Sequence, residues 1–296
     1  MLYDKRHPDF GAVLQPNAEL KQLATGFEFV EGPAWHPDEQ HLTFSDIAGN
    51  KMYRWAYGAE APSVFRTPSN KANGNTYDAD GRLLTCEHAT SRVVRMELDG
   101  RVDVLVSHHG EKELNSPNDI IVTRDGTIWF TDPLPGRKPF FGVPRDQELD
   151  FQGVWRLRPG EEIAEPMLTD FTLPNGLCTD PDERVLYVND TSAGHIRRFA
   201  LASDGSLTGG EVFARLEGEG EGVPDGMKTD LDGRVWCTGP GGVHVFAIDG
   251  TPLGVIRVPE KTANFTWIGP ERRTLVTTSF TSLYTLPVAV TGHHLF

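Results

Sequence analysis

Residues 223–239 read VPDGMKTDLDGRVWCTG: a small polar pair at Asp225-Gly226, a few alternating residues, an Asp-Leu-Asp-Gly turn at 230–233, then a β-rich run. Alternation on either side of an Asp/Gly turn predicts two antiparallel strands, since those residues satisfy and bend a tight turn. The same phrase recurs five more times. Glu31-Gly32 leads through Pro37-Asp38 to LTFSDI, Asn73-Gly74 through Asp78–Arg82 to LLTCEH, and Asn118-Asp119 through Arg124-Asp125-Gly126 to TIWFTD. Asn175-Gly176 leads through Asp180-Pro181-Asp182 to VLYVND, and Asn264-Phe265 through Gly269–Arg272 to TLVTTS. Each copy ends in another strand-like run, for example KMYRWA, HIRRFAL or GVHVFAI. Successive lead residues are 42, 45, 57, 50 and 39 positions apart, scattered about the ~45-residue length of a four-stranded propeller blade. No long segment carries a helical period. The expected fold is therefore all-β, a six-bladed β-propeller, with residues 1–296 as one domain. The first ~25 residues are expected to supply an outer strand that closes the ring against the last blade, because an open ring leaves sheet edges unpaired.

The third copy is the longest. Residues 133–152, PLPGRKPFFGVPRDQELDFQ, form a Pro/Gly/aromatic insertion between that blade's second and third strands, and an aperiodic loop of this length is read as a lid or pocket wall, with a passive surface loop as the other reading.

In a propeller the first strand of each blade lines the central channel, so equivalent repeat positions lie at one height around it. The six lead residues are Glu31, Asn73, Asn118, Asn175, Asp225 and Asn264, all carboxylates or carboxamides. Such side chains are unfavourable in strands and costly when turned inward unsatisfied. A divalent cation on the axis would satisfy them; the other reading is that they cap turns and hydrogen-bond the backbone. Oxygen donors alone favour a hard ion such as Ca²⁺, Mg²⁺ or Mn²⁺. Glu31 and Asp225 supply the charge; at ~5 Å and an effective dielectric of ~20 they would repel by about 3 kcal/mol without a cation. The second strands return to the same face and bring Ser45-Asp46, Glu87-His88, Thr131-Asp132 and Asn189-Asp190 to the channel mouth. There His88 is read either as a substrate contact or proton shuttle, or as a hydrogen-bonded rim histidine with no chemical role.

Composition limits the partners. A formal net charge of −14 repels phosphate backbones and anionic lipid, so neither nucleic acid nor a membrane surface is an expected partner. Cys86, Cys178 and Cys237 are too few and too widely spaced for a disulfide framework or a structural zinc site. The N-terminus MLYDKRHPDF has no signal-peptide apolar run and no stretch is long enough for a membrane span, so a cytoplasmic location is the expectation. Oligomeric state is left open.

The phrases EGPAWHPD, LTFSDI, LNSPNDIIV, IWFTDP, LPNGLC and VPDGMKTDLDGRVW, spread over the chain from about residue 25 onward, resemble the senescence-marker-protein (regucalcin)/gluconolactonase/LRE family, its bacterial sugar-lactonase branch above all. The resemblance implies a six-bladed propeller with one catalytic divalent metal: calcium first, with zinc, manganese, magnesium or iron as alternatives. It implies Glu31, Asn175 and Asp225 as metal ligands, and Asn118 as either a ligand or a contact to substrate and water. Asn73 and His88 are further candidate substrate contacts. Ser116 stands where animal regucalcins carry a substrate-contacting arginine, so their sugar specificity is not carried over. The expected activity is opening of a lactone ring, a sugar lactone by resemblance, with the metal polarising the carbonyl and Asp225 as general base. An aryl-ester or organophosphorus hydrolase on the same ring, and a non-catalytic metal-binding propeller, are the competing readings.

Overall fold

The computed structural model describes residues 1–293. Among the described residues six blade sheets of antiparallel strands, each in simple up-and-down order, span residues 30–66, 72–106, 120–171, 174–215, 227–257 and 262–287, and a two-stranded ladder joins His108–His109 to Lys112–Glu113. Helical structure among the described residues is confined to two short 3₁₀ turns, Pro8–Val13 and Pro135–Arg137. The expected all-β class with six blades is the one observed.

The contacts divide the chain into two compact units. Residues 28–175 hold the first three blades. Residues 1–27, with those from 176 onward, hold the other three, the fourth blade beginning at Pro174.

Within each unit the cores lie between neighbouring sheets. In the first, Leu84, Cys86 and Val93 of blade two pack with Phe130, Trp155 and Leu157 of blade three. In the second, Trp236 and Val245 of blade five pack with Phe265, Trp267 and Leu275 of blade six. The Trp236 and Trp267 rings meet edge to face at 5.3 Å. Cys86, Cys178 and Cys237 are buried thiols that form no disulfide among the described residues and pack as small core side chains.

The N-terminal segment supplies two outer strands. Lys21–Thr25 pairs with Ser282–Pro287, so the sixth blade takes its fourth strand from the chain's beginning. Tyr3–Lys5 adds a fifth strand to the fifth blade through Pro252–Arg257, and Phe10 anchors the intervening 3₁₀ turn in the core.

Candidate functional site

Five of the six lead residues sit where a strand ladder breaks or just before a first strand begins; Asn175 lies within the strand Pro174–Thr179. Pairing shifts register between Glu31 and Ala34, between Ala72 and Asn75, and between Thr262 and Asn264. In blades three and five the first strand begins only at Ile120 and Met227, just after Asn118 and Asp225. Such irregularities re-aim side chains that a regular strand would commit to its two faces. Glu31, Asn73, Asn118, Asn175 and Asn264 are buried, whereas Asp225 is partly exposed.

The glycine after four of these leads has a specific use. A Cβ at Gly32 would run into the Asn73 carbonyl, at Gly74 into the Asn118 carbonyl, at Gly176 into the Asp225 carbonyl, and at Gly226 into the Asn264 side chain. Each glycine thus lets one first strand lie directly against the next blade's lead residue. Hydrogen bonds lock the approach: Gly74 N donates to Asn118 O at 2.8 Å and Gly226 N to Ala263 O at 2.7 Å.

Side chains of the second strands reinforce it. Ser45 Oγ donates to Asn73 O at 2.7 Å, and Thr238 Oγ1 donates to Ala263 O at 3.1 Å. Asn189 Nδ2 donates to Asp225 O at 2.5 Å, while Thr191 Oγ1 donates to Pro224 O at 2.6 Å. The backbone at Pro224 and Asp225 is therefore fixed by side chains of the neighbouring blade.

The carboxylates ending the second strands do not form a charged rim. Asp46 accepts from Glu28 N and Phe29 N, and Asp132 from Asn115 N and Ser116 N. Asp190 accepts from Ser192 N and Ala193 N, and Glu87 is bound by Arg66, Arg92 and Asn70. In the first and third blades these groups hold the segment entering the first strand, and so help position Glu31 and Asn118. Burial pushes the Asp132 carboxyl up to about 7, against the opposing pull of the two backbone donors and Arg137.

His88 is buried, not open to the mouth. Its Nδ1 lies 3.0 Å from the Phe141 carbonyl, an acceptor only, so Nδ1 carries the proton and donates. Nε2 is then the acceptor for Asn73 Nδ2 at 3.1 Å. Burial pushes the imidazole down to about 4, helped by Arg145 and opposed by the bond to Phe141, so it is neutral at pH 7. Both ring nitrogens are used, and the geometry makes His88 a strut between Asn73 and the insertion, with neither nitrogen left for a proton shuttle.

The insertion, residues 133–151, is clamped. Arg137 and Arg145 share Glu113 at 2.8 and 2.9 Å; Arg137 also donates to the Asn115 and Leu114 carbonyls, and Arg145 to the His88 carbonyl. Ser116 Oγ donates to Pro133 O at 2.5 Å and accepts from Gly136 N at 3.0 Å.

Among the described residues no group of three or more His, Cys, Asp or Glu gathers as a metal site. One observation fits a bound group: Asn189 Oδ1 is buried without a hydrogen-bond partner among the described residues, on the same side chain that holds the Asp225 carbonyl. The channel-mouth reading named Asn189 without a role; its link to Asp225 crosses 36 residues and leaves no local signal.

Comparison with known proteins supplies the family. The model described as the SMP-30/Gluconolactonase/LRE-like region matches residues 29–281. The gluconolactonase of Zymomonas mobilis is 30% identical over 277 residues, covering 85% of this chain and 76% of that protein. The pentonolactonase of Haloferax volcanii is 30% identical over 258 residues, covering 84% and 80%. The structure of a gluconolactonase from Xanthomonas campestris superposes with a TM-score of 0.90 at 37% identity, covering 97% of this chain and 95% of that one. This chain belongs to the SMP-30/gluconolactonase/LRE-like family.

Proposed function

We propose that the chain is a lactonase that opens sugar lactones and depends on one divalent metal ion, held by Glu31, Asn175 and Asp225 with Asn118 as fourth ligand or as a contact to substrate and water. The observation that carries this reading is the family match over 29–281, which spans every one of these positions. Their donor chemistry supports calcium first, since all four offer oxygen alone. Lewis-acid polarisation of the lactone carbonyl is the chemistry such an ion supplies when bound.

Asp225 is the general base. Its partial exposure leaves the carboxylate reachable by water, and the backbone at Pro224 and Asp225 is held. Water attacks the carbonyl carbon while an Asp225 oxygen takes its proton. The ring C–O bond then breaks and the departing ring oxygen is protonated, leaving a hydroxy acid. A base so placed contributes roughly 10²–10⁴ in rate. Asn73, fixed by His88, is positioned to orient substrate hydroxyls.

Hydrolysis of sugar lactones, aryl esters and phosphotriesters, compared side by side, tests the substrate class. Preference for the lactones is expected; preference for either other class overturns it. Asp225→Asn should cut lactone turnover at least ~10²-fold with metal still bound. Full turnover in that variant would remove Asp225 from the role of base.

A further inference from the structure

The insertion of blade three is docked on the candidate site through two of its neighbours. His88 joins Asn73 to the Phe141 carbonyl. Ser116, two residues before Asn118, holds Pro133 and Gly136. Gly136 has no room for a side chain: a Cβ there would lie 2.5 Å from both His88 Cγ and Ser116 Cβ. With Arg137 and Arg145 tied to Glu113, the segment is fixed at both ends.

The tip of the insertion, Lys138 to Phe140, is exposed. Phe140 itself is 49% exposed, and its backbone takes φ +78°. A bulky side chain in the left-handed region is unfavourable and persists only when the surroundings impose it. Here they do. The Phe140 carbonyl accepts from Lys71 Nζ at 3.4 Å, the next carbonyl is held by His88, and the Phe140 ring meets Phe141 and Phe29 edge to face at 4.9 and 6.1 Å. Phe29 lies two residues before Glu31 and is itself 5% exposed. The strain therefore presents an aromatic ring beside the segment that enters Glu31.

We propose that Phe140 is a specificity-determining residue of this enzyme, its ring forming the aromatic wall against which the C–H face of a sugar lactone packs. This rests on the lactonase reading above. An aromatic face suits a pyranose or furanose ring, which carries polar hydroxyls at its edge and apolar C–H groups on its face; a small lactone without the hydroxylated carbons gains little from it.

The test compares wild type, Phe140→Ala and Phe140→Tyr on a sugar lactone and on γ-butyrolactone, with thermal midpoints recorded to confirm folding. An aromatic contact predicts that Phe140→Ala raises KM for the sugar lactone about three- to tenfold with kcat changed less than about twofold. KM for γ-butyrolactone should stay constant, and Phe140→Tyr should restore the wild-type KM. Unchanged sugar-lactone KM in folded Phe140→Ala, or an equal rise for both lactones, overturns the assignment while leaving the lactonase reading intact. Wild-type protein that opens neither lactone overturns both.

Discussion

Replacing Gly176 by alanine adds one methyl group at a glycine whose φ is ordinary, so the cost is steric and not conformational. The new Cβ would run into the Asp225 carbonyl oxygen and lie 2.8 Å from Asn189 Nδ2 and 3.0 Å from Met227 N. Comfortable contact for carbon is about 3.5 Å, so the strand bearing Asp225 must retreat by on the order of 1 Å. Overpacking against backbone costs about 1–3 kcal/mol, and weakening the Asn189–Asp225 hydrogen bond adds about 1 kcal/mol. The sum is a loss of about 2–4 kcal/mol in stability. A displacement of ~1 Å at a catalytic group lowers turnover by about 10²-fold. Guanidinium unfolding and kcat on a sugar lactone measure both effects, with Gly11→Ala as the control because nothing lies within 4 Å of its Cβ position. If Gly176→Ala matched the control within about 0.5 kcal/mol, a spread expected of innocuous surface changes, and kept full turnover, the interlock would play no part in positioning Asp225.

Three further outcomes are expected. Glu113→Gln removes the carboxylate shared by Arg137 and Arg145; with Glu113 24% exposed the loss is about 1–3 kcal/mol, and limited proteolysis should cut within 133–151 faster than in wild type. Unchanged cleavage there would mean that Glu113 does not clamp the insertion. Stability should also fall on acidification from about pH 6.5 to 4, because burial pushes His41, His88 and His244 from 6.5 to about 4 and the unfolded chain takes up their protons first. Asp132, raised to about 7, works in the opposite sense, so among these four groups three protons oppose one. His244→Gln keeps a donor to the Pro240 carbonyl and should flatten the profile by about 1.4 kcal/mol per pH unit, checked by urea unfolding across the window; an identical slope in the two proteins would contradict the assignment.

The blades were legible because each carries its own local evidence. An Asp/Gly turn between alternating runs is read within about twenty residues, and six turns in phase leave one architecture that fits. The strand Lys21–Thr25 followed from the need to pair an edge. The pairing of Tyr3–Lys5 with blade five did not, since three residues carry no period. The lead residues were legible as polar side chains in strand context, but the purpose of the glycines after them was not. Gly32 and Gly176 acquire meaning only from the carbonyls of Asn73 and Asp225, roughly 40 and 50 residues further on. The insertion announced itself by length alone. Its clamp joins Arg137 to Glu113 and Arg145 to His88, pairs that no local pattern marks. His88 was placed at the mouth by strand direction, and its burial follows from the insertion folded over it.

The measurement that bears most directly on the account is turnover of a sugar-lactone panel by protein stripped with a chelator, before and after stoichiometric addition of Ca²⁺, Mg²⁺, Mn²⁺ or Zn²⁺. Loss of activity on stripping and recovery at one equivalent of metal is the expected result. Undiminished turnover by the stripped protein, or no turnover with any of the metals, would contradict it.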